Sequence, residues 1–354
     1  MSSTFGENLK ISIFGQSHSE AIGVVIDGFP AGFEIDEEKL LSFMARRAPG
    51  KGAHTTSRSE SDAPHFLSGV VGKVTTGAPI CAVIYNTNTR SKDYDALRDI
   101  PRPGHSDFTA YMKYGTAHDI RGGGQFSGRL TAPLCIAGAL CLQYLETRGV
   151  KIAAHAETIG KVRDRRFNPI SPEFSELCGG SITVLSPDAE NAMLDEILAA
   201  KNATDSVGGI IECAATGVPA TLGEPPFGGV ENRIASIVFG IPAVKGIEFG
   251  AGFGVSEMLG SENNDAFIIE KGKIKTETNN HGGALGGITS GMPIIFRAAV
   301  KATPSIAKVQ KSVSLSELRE RELVIEGRHD PCIVPRAIPV MEAALAIAIC
   351  DMML

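Results

Sequence analysis

Two stretches of the chain are apolar on almost every helical face: LTAPLCIAGALCLQYL at 130–145 and AIPVMEAALAIAICDMM at 337–353. A helix with no polar face has to be covered all round. Pro, Thr or Glu breaks each run short of about 18 unbroken apolar residues, so both predict buried core helices and not membrane spans. Residues 36–47, DEEKLLSFMARR, alternate at helical spacing, with acids in the first turn and Arg46 and Arg47 in the last, as the helix dipole favours. PDAENAMLDEILAAKNA at 187–203 predicts a second amphipathic helix, opened by Pro187 and Asp188. The strand candidates ISIFG, GVVIDG, VTTGAPICAVIY, IIECAATGV and ITSGMPIIF are short and separated by turns. They are not spaced as repeated βαβ units, so an α+β fold is expected: a β-α-β sandwich with a helical layer between two mostly antiparallel sheets. A doubly wound parallel sheet is the alternative.

The pattern also repeats. GKVTTGAPI at 72–80 and GGITSGMPI at 286–294 share G-x-[VI]-T-[TS]-G-x-P-I. Each copy runs into an apolar strand, then a short histidine-bearing motif (RPGHSD at 102–107, GRHDP at 327–331), then an arginine before an all-apolar helix. The same order in both halves implies internal duplication with pseudo-two-fold symmetry. A single domain over 1–354 is expected, of two related halves at about 1–150 and 207–354, with an elaboration at about 151–206.

Composition narrows the function. Gly 40 and Pro 19 favour tight turns and backbone-lined sites. Seven scattered cysteines without a C-x-x-C pair suit a reduced, cytoplasmic protein, and the polar start MSSTFGENLK offers no secretory leader. Residues 41–130 carry 12 Lys and Arg against 7 Asp and Glu in a chain of net charge -6, which suits a small polyanion. A nucleic-acid module is disfavoured, because Trp is absent, aromatics are 6%, and the arginines sit in glycine turns. The sequence has no G-x-G-x-x-G, P-loop or G-x-S-x-G, and no H-x-H or H-x-x-x-H, so no metal site is expected.

What remains is a set of His and Arg residues in glycine-rich turns. Ser17 and His18 follow a strand in FGQSHS, and His105 follows a Pro-Gly turn beside Asp107, an orienting partner for it. In RGGGQFSGR at 121–129, Arg121 and Arg129 bracket three glycines just before a helix, a set of donors suited to an anion. HGGALGG at 281–287 with VKATPS at 300–305 suggests a second backbone-lined pocket with Lys301. Read singly, each motif also fits an ordinary turn.

Taken in order, FGQSHSEAIGVVIDGFPAG, RRAPG, TTGAPI, NTNTRSKDY, RPGHSD, RGGGQFSGR, IPAVKGIEFGAGF, NNHGGALGGITSG and GRHDPCIVPRAIPVMEAA resemble the chorismate synthase family over nearly the whole chain. The resemblance implies a carbon–oxygen lyase that makes chorismate from 5-enolpyruvylshikimate 3-phosphate by anti 1,4-elimination of phosphate. It implies reduced FMN as cofactor, with NADPH or a separate source as reductant, and a homotetramer. It assigns catalytic roles to His18, His105 and Asp330, and substrate binding to Ser17, Arg47, Arg121, Arg129 and Arg336. Flavin contacts fall to Ser127, Pro242, Ala243, Gly286, Lys301, Thr303, Ser305 and Arg328. The chain departs from the family pattern at Ser19, Ala48, Ala53, Gln125 and Phe126.

Overall fold

The computed structural model describes residues 3–48, 62–86, 96–325 and 330–354. Its first five-stranded sheet contains β1 (Thr4–Phe5), β2 (Lys10–Gly15), β3 (Ala21–Asp27), β4 (His65–Ser68) and β5 (Ile80–Tyr85), in the order β1-β2-β3-β5-β4. The second contains β6 (Lys151–Ile159), β7 (Val162–Arg163), β8 (Gly209–Thr216), β9 (Val244–Phe249) and β10 (Ile294–Val300), in the order β9-β10-β8-β6-β7. Every pairing within both sheets is antiparallel, which leaves no room for the doubly wound alternative.

The longer helices are α1 (Glu37–Arg47), α2 (Asp107–Tyr114), α3 (Thr131–Glu146), α4 (Pro187–Asn202), α5 (Val230–Phe239) and α6 (Val334–Met353). The two all-apolar stretches become α3 and α6. α3 packs on β2, β3 and β5, α6 packs on β6 and β8, and the two helices pack on each other. Thr131 to Cys141 of α3 and Ala337 to Asp351 of α6 are buried without a break. Small residues let the pair approach. A Cβ added to Gly138 would stand 2.2 Å from the Cβ of Ala343, so the two backbones are already at their limit.

Two carboxylates ride on α6 inside this core, and each accepts several hydrogen bonds. Glu342 takes a forked pair from Arg46 of α1 at 2.5 and 2.8 Å and also accepts the Ala154 N–H of β6 at 3.0 Å. One oxygen of Asp351 accepts the backbone N–H groups of Glu7, Asn8 and Leu9 at 2.8, 2.8 and 2.9 Å. Charges buried this deeply persist only when paired and hydrogen-bonded. Here they fasten α1, β6 and the N-terminal segment to the central helix.

Duplication is visible in strand order. Read from its far edge, the first sheet runs β4-β5-β3-β2-β1 and the second runs β9-β10-β8-β6-β7, with α1 and α5 in matching places and α3 and α6 following matching strands. The repeated threonine makes the same pair of bonds in both copies of the sequence motif. Thr75 Oγ1 donates to Pro30 O at 2.7 Å and accepts Phe33 N–H at 3.0 Å. Thr289 Oγ1 does the same with Pro219 O at 2.7 Å and Leu222 N–H at 2.8 Å. Both clasps tie the turn before a central strand to the loop after its neighbour.

Strand order differs from the expected division at one point. Lys151–Ile159 is β6, the counterpart of β2, and with β7 sits inside the second sheet; residues 164–208, with α4, are inserted between β7 and β8. The alanine-rich centre of β6, AAHA, lacks the β-branched residues that flag a strand.

Because the contact at Gly138 has no slack, Gly138→Ala should lower stability by about 1–3 kcal/mol through overpacking. Gly180→Ala, whose Cβ would meet open space, should leave it unchanged. Urea denaturation of the two variants checks this.

Candidate active site

The N-terminal ends of α3 and α6 converge on a cleft of about 630 Å³. Into it the fold brings Ser17, Arg47, His105, Ser127, Arg129, Pro242, Ala243, Lys301, Thr303, Ser305, Asp330 and Arg336, all singled out from sequence. His18 adjoins it, with Nδ1 3.2 Å from Ser17 Oγ. Two assigned residues stand elsewhere. Arg121 forks onto Asp119 at 2.8 Å through both Nε and Nη2, and Gly286 lies in the turn of a hairpin between Ala284–Leu285 and Ile288–Thr289. Arg328 and Ala53 fall outside the described residues.

The three glycines at 122–124 have φ of +59°, +83° and +54°, a run of left-handed backbone that other residues rarely adopt. Each also needs clearance. A Cβ on Gly122 would lie 2.4 Å from Ser17 Oγ and 2.6 Å from the His18 ring, and one on Gly123 would lie 3.3 Å from the His105 ring. One on Gly124 would strike the Asp119 carbonyl at 2.0 Å. The turn thus passes between the two histidines. At the family departure Ser19, the hydroxyl accepts Gln16 N–H at 2.8 Å and lies 2.8 Å from Gln16 O and 2.7 Å from Ala21 O, closing the loop that carries Ser17 and His18.

Cations dominate the walls. Arg47 donates to Asp62 at 2.6 Å, to Thr131 Oγ1 at 3.1 Å and to Gly128 O at 3.1 Å. Arg129 donates to the other oxygen of Asp62 and to Asn86 Oδ1 at 3.2 Å. Arg336 pairs with Asp330 and donates to Arg47 O at 3.1 Å. Burial opposes the Asp62 charge, yet Arg47 and Arg129 together hold its pKa below the ordinary carboxylate range. Burial, then the neighbouring Arg47, lowers that of Arg336 against the pull of Asp330. Lys301 donates to Gly104 O at 2.8 Å, and burial and Lys245 lower its pKa.

His105 Nδ1 lies 2.6 Å from Asp107 Oδ1, so the orienting partner expected from the RPGHSD spacing is in place. Burial lowers the His105 pKa; Asp107 opposes this, and Arg102 and Lys301 add to it. Sequence reasoning missed Asp62 and Arg102. The available signal was the density of arginines in 41–130, which calls for buried carboxylate partners without saying which.

A Ser–His–Asp constellation lies away from the cleft: His281 Nδ1 meets Asp265, and Nε2 is 2.8 Å from Ser290 Oγ. Ser290 Oγ also accepts Met292 N–H at 3.3 Å, as Thr76 Oγ1 accepts Ala78 N–H at 3.3 Å in the first half, where no histidine among the described residues is attached. The hydroxyl belongs to the repeated turn, so we read this cluster as a clasp. Among the described residues no group of three or more His, Cys, Asp or Glu could hold a metal ion, and no helix is long and apolar enough to cross a membrane. Burial raises the thiols of Cys135 and Cys332 to about 12, unsuited to nucleophilic work.

Asp62→Ala leaves two buried arginines without their shared anion and should cost about 3–5 kcal/mol. Asp62 and Asp107 are depressed in the folded state, so their stabilisation is present above the unfolded value of 3.8 and is lost as pH falls below it. His105 is depressed from 6.5, so the unfolded chain takes up a proton first and stability begins to fall as pH drops through that value. Denaturation series between neutral and acid pH should show both losses, the carboxylate one reduced in Asp62→Ala.

A family model described as chorismate synthase matches residues 9–354. A chorismate synthase of Lancefieldella parvula is 46% identical, covering 99% of this chain and 96% of its own. One of Thermococcus kodakarensis is 46% identical over 99% of this chain and 97% of its own. A solved structure titled "Crystal Structure of Chorismate Synthase" superposes with TM-score 0.75 at 27% identity, covering 98% of this chain and 92% of that one. With motifs, layered fold and whole-length similarity in agreement, the chain belongs to the chorismate synthase family.

Proposed function

We propose that the cleft binds 5-enolpyruvylshikimate 3-phosphate and converts it to chorismate by anti 1,4-elimination, losing the 3-phosphate and a C6 proton. The observation that carries this reading is the charge pattern: Arg47, Arg102, Arg129, Arg336, Lys245 and Lys301 line the cleft, with Asp330 as the sole carboxylate among its described lining residues. A substrate bearing a phosphate and two carboxylates needs such cations, and guanidinium forks match both groups. An elimination needs in addition an acid for the leaving group and an acceptor for the departing proton.

Arg47, Arg129 and Arg336 would hold the anionic groups, with Ser17 a further donor. His18, beside Ser17, would protonate the departing phosphate. Asp330, kept oriented by Arg336, would take part in removing the C6 proton, and His105 would govern protonation at the cofactor edge. The cleft also fits a flat aromatic group with a phosphate tail. Phe126, Phe239, Ile241, Pro242, Ala243 and Val340 supply an apolar wall, and Lys301, Thr303 and Ser305 supply polar groups beside it. Reduced FMN, when bound there, would lend electron density to the allylic system with no net redox change. Of the flavin set, Ser127 lies in the cleft with these residues, whereas Gly286 stands off it in the single chain, as does Arg121 of the substrate set. NADPH or a separate reductant would supply the reduced flavin.

We read the assembly as a homotetramer, supported by the apolar side chains of Phe267, Ile269 and Ile274, which are 72%, 80% and 74% exposed on one hairpin.

Anaerobic protein with photoreduced FMN and the substrate should release phosphate and chorismate in equal amounts, and oxidised FMN should give neither. Binding without product would count against the reaction. His18→Ala and His105→Ala should each lower turnover by about 10²-fold or more, with circular dichroism unchanged.

A further inference from the structure

The turn that presents His105 contains a buried ion pair to which the proposed reaction assigns no individual role. Arg102 and Asp107 form an ion pair with side chains 4% and 3% exposed. Arg102 Nε and Nη2 donate to the two oxygens of Asp107 at 2.7 and 2.8 Å, and the Arg102 N–H donates to Asp107 at 3.1 Å. The remaining Arg102 nitrogen reaches Ser305 Oγ at 3.3 Å, on the segment opposite.

We infer that Arg102 and Asp107 are positioning residues that hold His105 as the tautomer protonated on Nδ1, leaving Nε2 as the proton acceptor at the cleft. The inference rests on the proposed function only in taking His105 as a working group. Its chemistry is simple. An ionised carboxylate only accepts hydrogen bonds, so at 2.6 Å from Asp107 Oδ1 the His105 Nδ1 must carry the hydrogen. Ser106 Oγ, at 3.5 Å from the same nitrogen, is too distant to compete.

Arg102 then acts twice. Its fork fixes the rotamer and ionisation of Asp107, as bidentate pairs do. Its Nη2, 3.2 Å from His105 Nδ1, has no lone pair to offer, so it places positive charge beside the ring and opposes a second proton. Lys301, docked on Gly104 O one residue away, adds charge of the same sign. The ring is thereby kept neutral, with its free nitrogen against Gly123, the middle glycine of the turn that separates it from His18.

Asp107 also occupies the first turn of α2, where an acid is favourable in any protein. A purely structural role is therefore the rival, and the test must move something that helix capping would not. Solid-state nitrogen NMR of histidine-labelled protein reads the tautomer directly: native His105 should be protonated on Nδ1. In Asp107→Asn the amide would donate to Nδ1 and move the proton to Nε2. Turnover should fall by about 10²-fold to 10⁴-fold, as for a general base held in the wrong tautomer, with KM nearly unchanged. Asp107→Glu should recover part of it. In Arg102→Gln, which keeps Asp107 solvated but removes the charge, the acidic limb of the kcat/KM profile should move to higher pH. A native Nε2-protonated ring, or an Asp107→Asn variant that keeps the native tautomer, overturns the role of the pair. A flipped tautomer with unchanged turnover overturns the assignment of His105 as a working group.

Discussion

Everything in this molecule follows from the need to cover two helices that have no polar face. α3 and α6 touch at Gly138 and Ala343, too closely for either to turn a polar stripe outwards, so a sheet must lie over each. Two similar helices needing two similar covers are what a duplicated chain provides. The shared geometry also sets the site. Both helices begin at the same cleft, so Arg129 just before α3 and Arg336 in the first turn of α6 arrive together, along with the positive ends of both helix dipoles.

Buried charge follows one rule through the structure. Glu342, Asp351, Asp62 and Asp107 each accept hydrogen bonds from two or more donors, and each fastens segments far apart in sequence or within a turn. In the core the effect is attachment. At the cleft the same device orients: Asp62 sets two guanidiniums and Asp107 sets an imidazole. The cleft therefore keeps an excess of positive charge while no carboxylate in its walls is left to chance.

Much of this was legible in the residues. The all-apolar stretches announced the covered helices, and the threonine of the repeated motif betrayed the duplication, its hydroxyl donating and accepting alike in both halves. Many residues lining the candidate cleft were legible too, since glycine turns and arginines mark positions where backbone and charge are constrained. What stayed hidden was tertiary. β6 is alanine-rich because it lies against α6, which only the packing reveals. Asp62 and Arg102 sit among ordinary polar neighbours and gain meaning from partners brought by the fold. Arg121 and Gly286 carry the right residue types but are directed to Asp119 and to a hairpin turn, because local sequence does not say which way a loop leaves the cleft.

The glycine turn at 122–124 has a consequence for tolerance to change. In a saturation library these three codons would read as one intolerant block, yet the block is heterogeneous. Side chains at 122 and 123 would press on His18 and His105, whereas one at 124 would press on the Asp119 carbonyl and so on the backbone itself. Inactive but well-folded clones should accumulate at the first two positions and misfolded ones at the third. Neighbouring letters of the same amino acid are thus under selection for different properties.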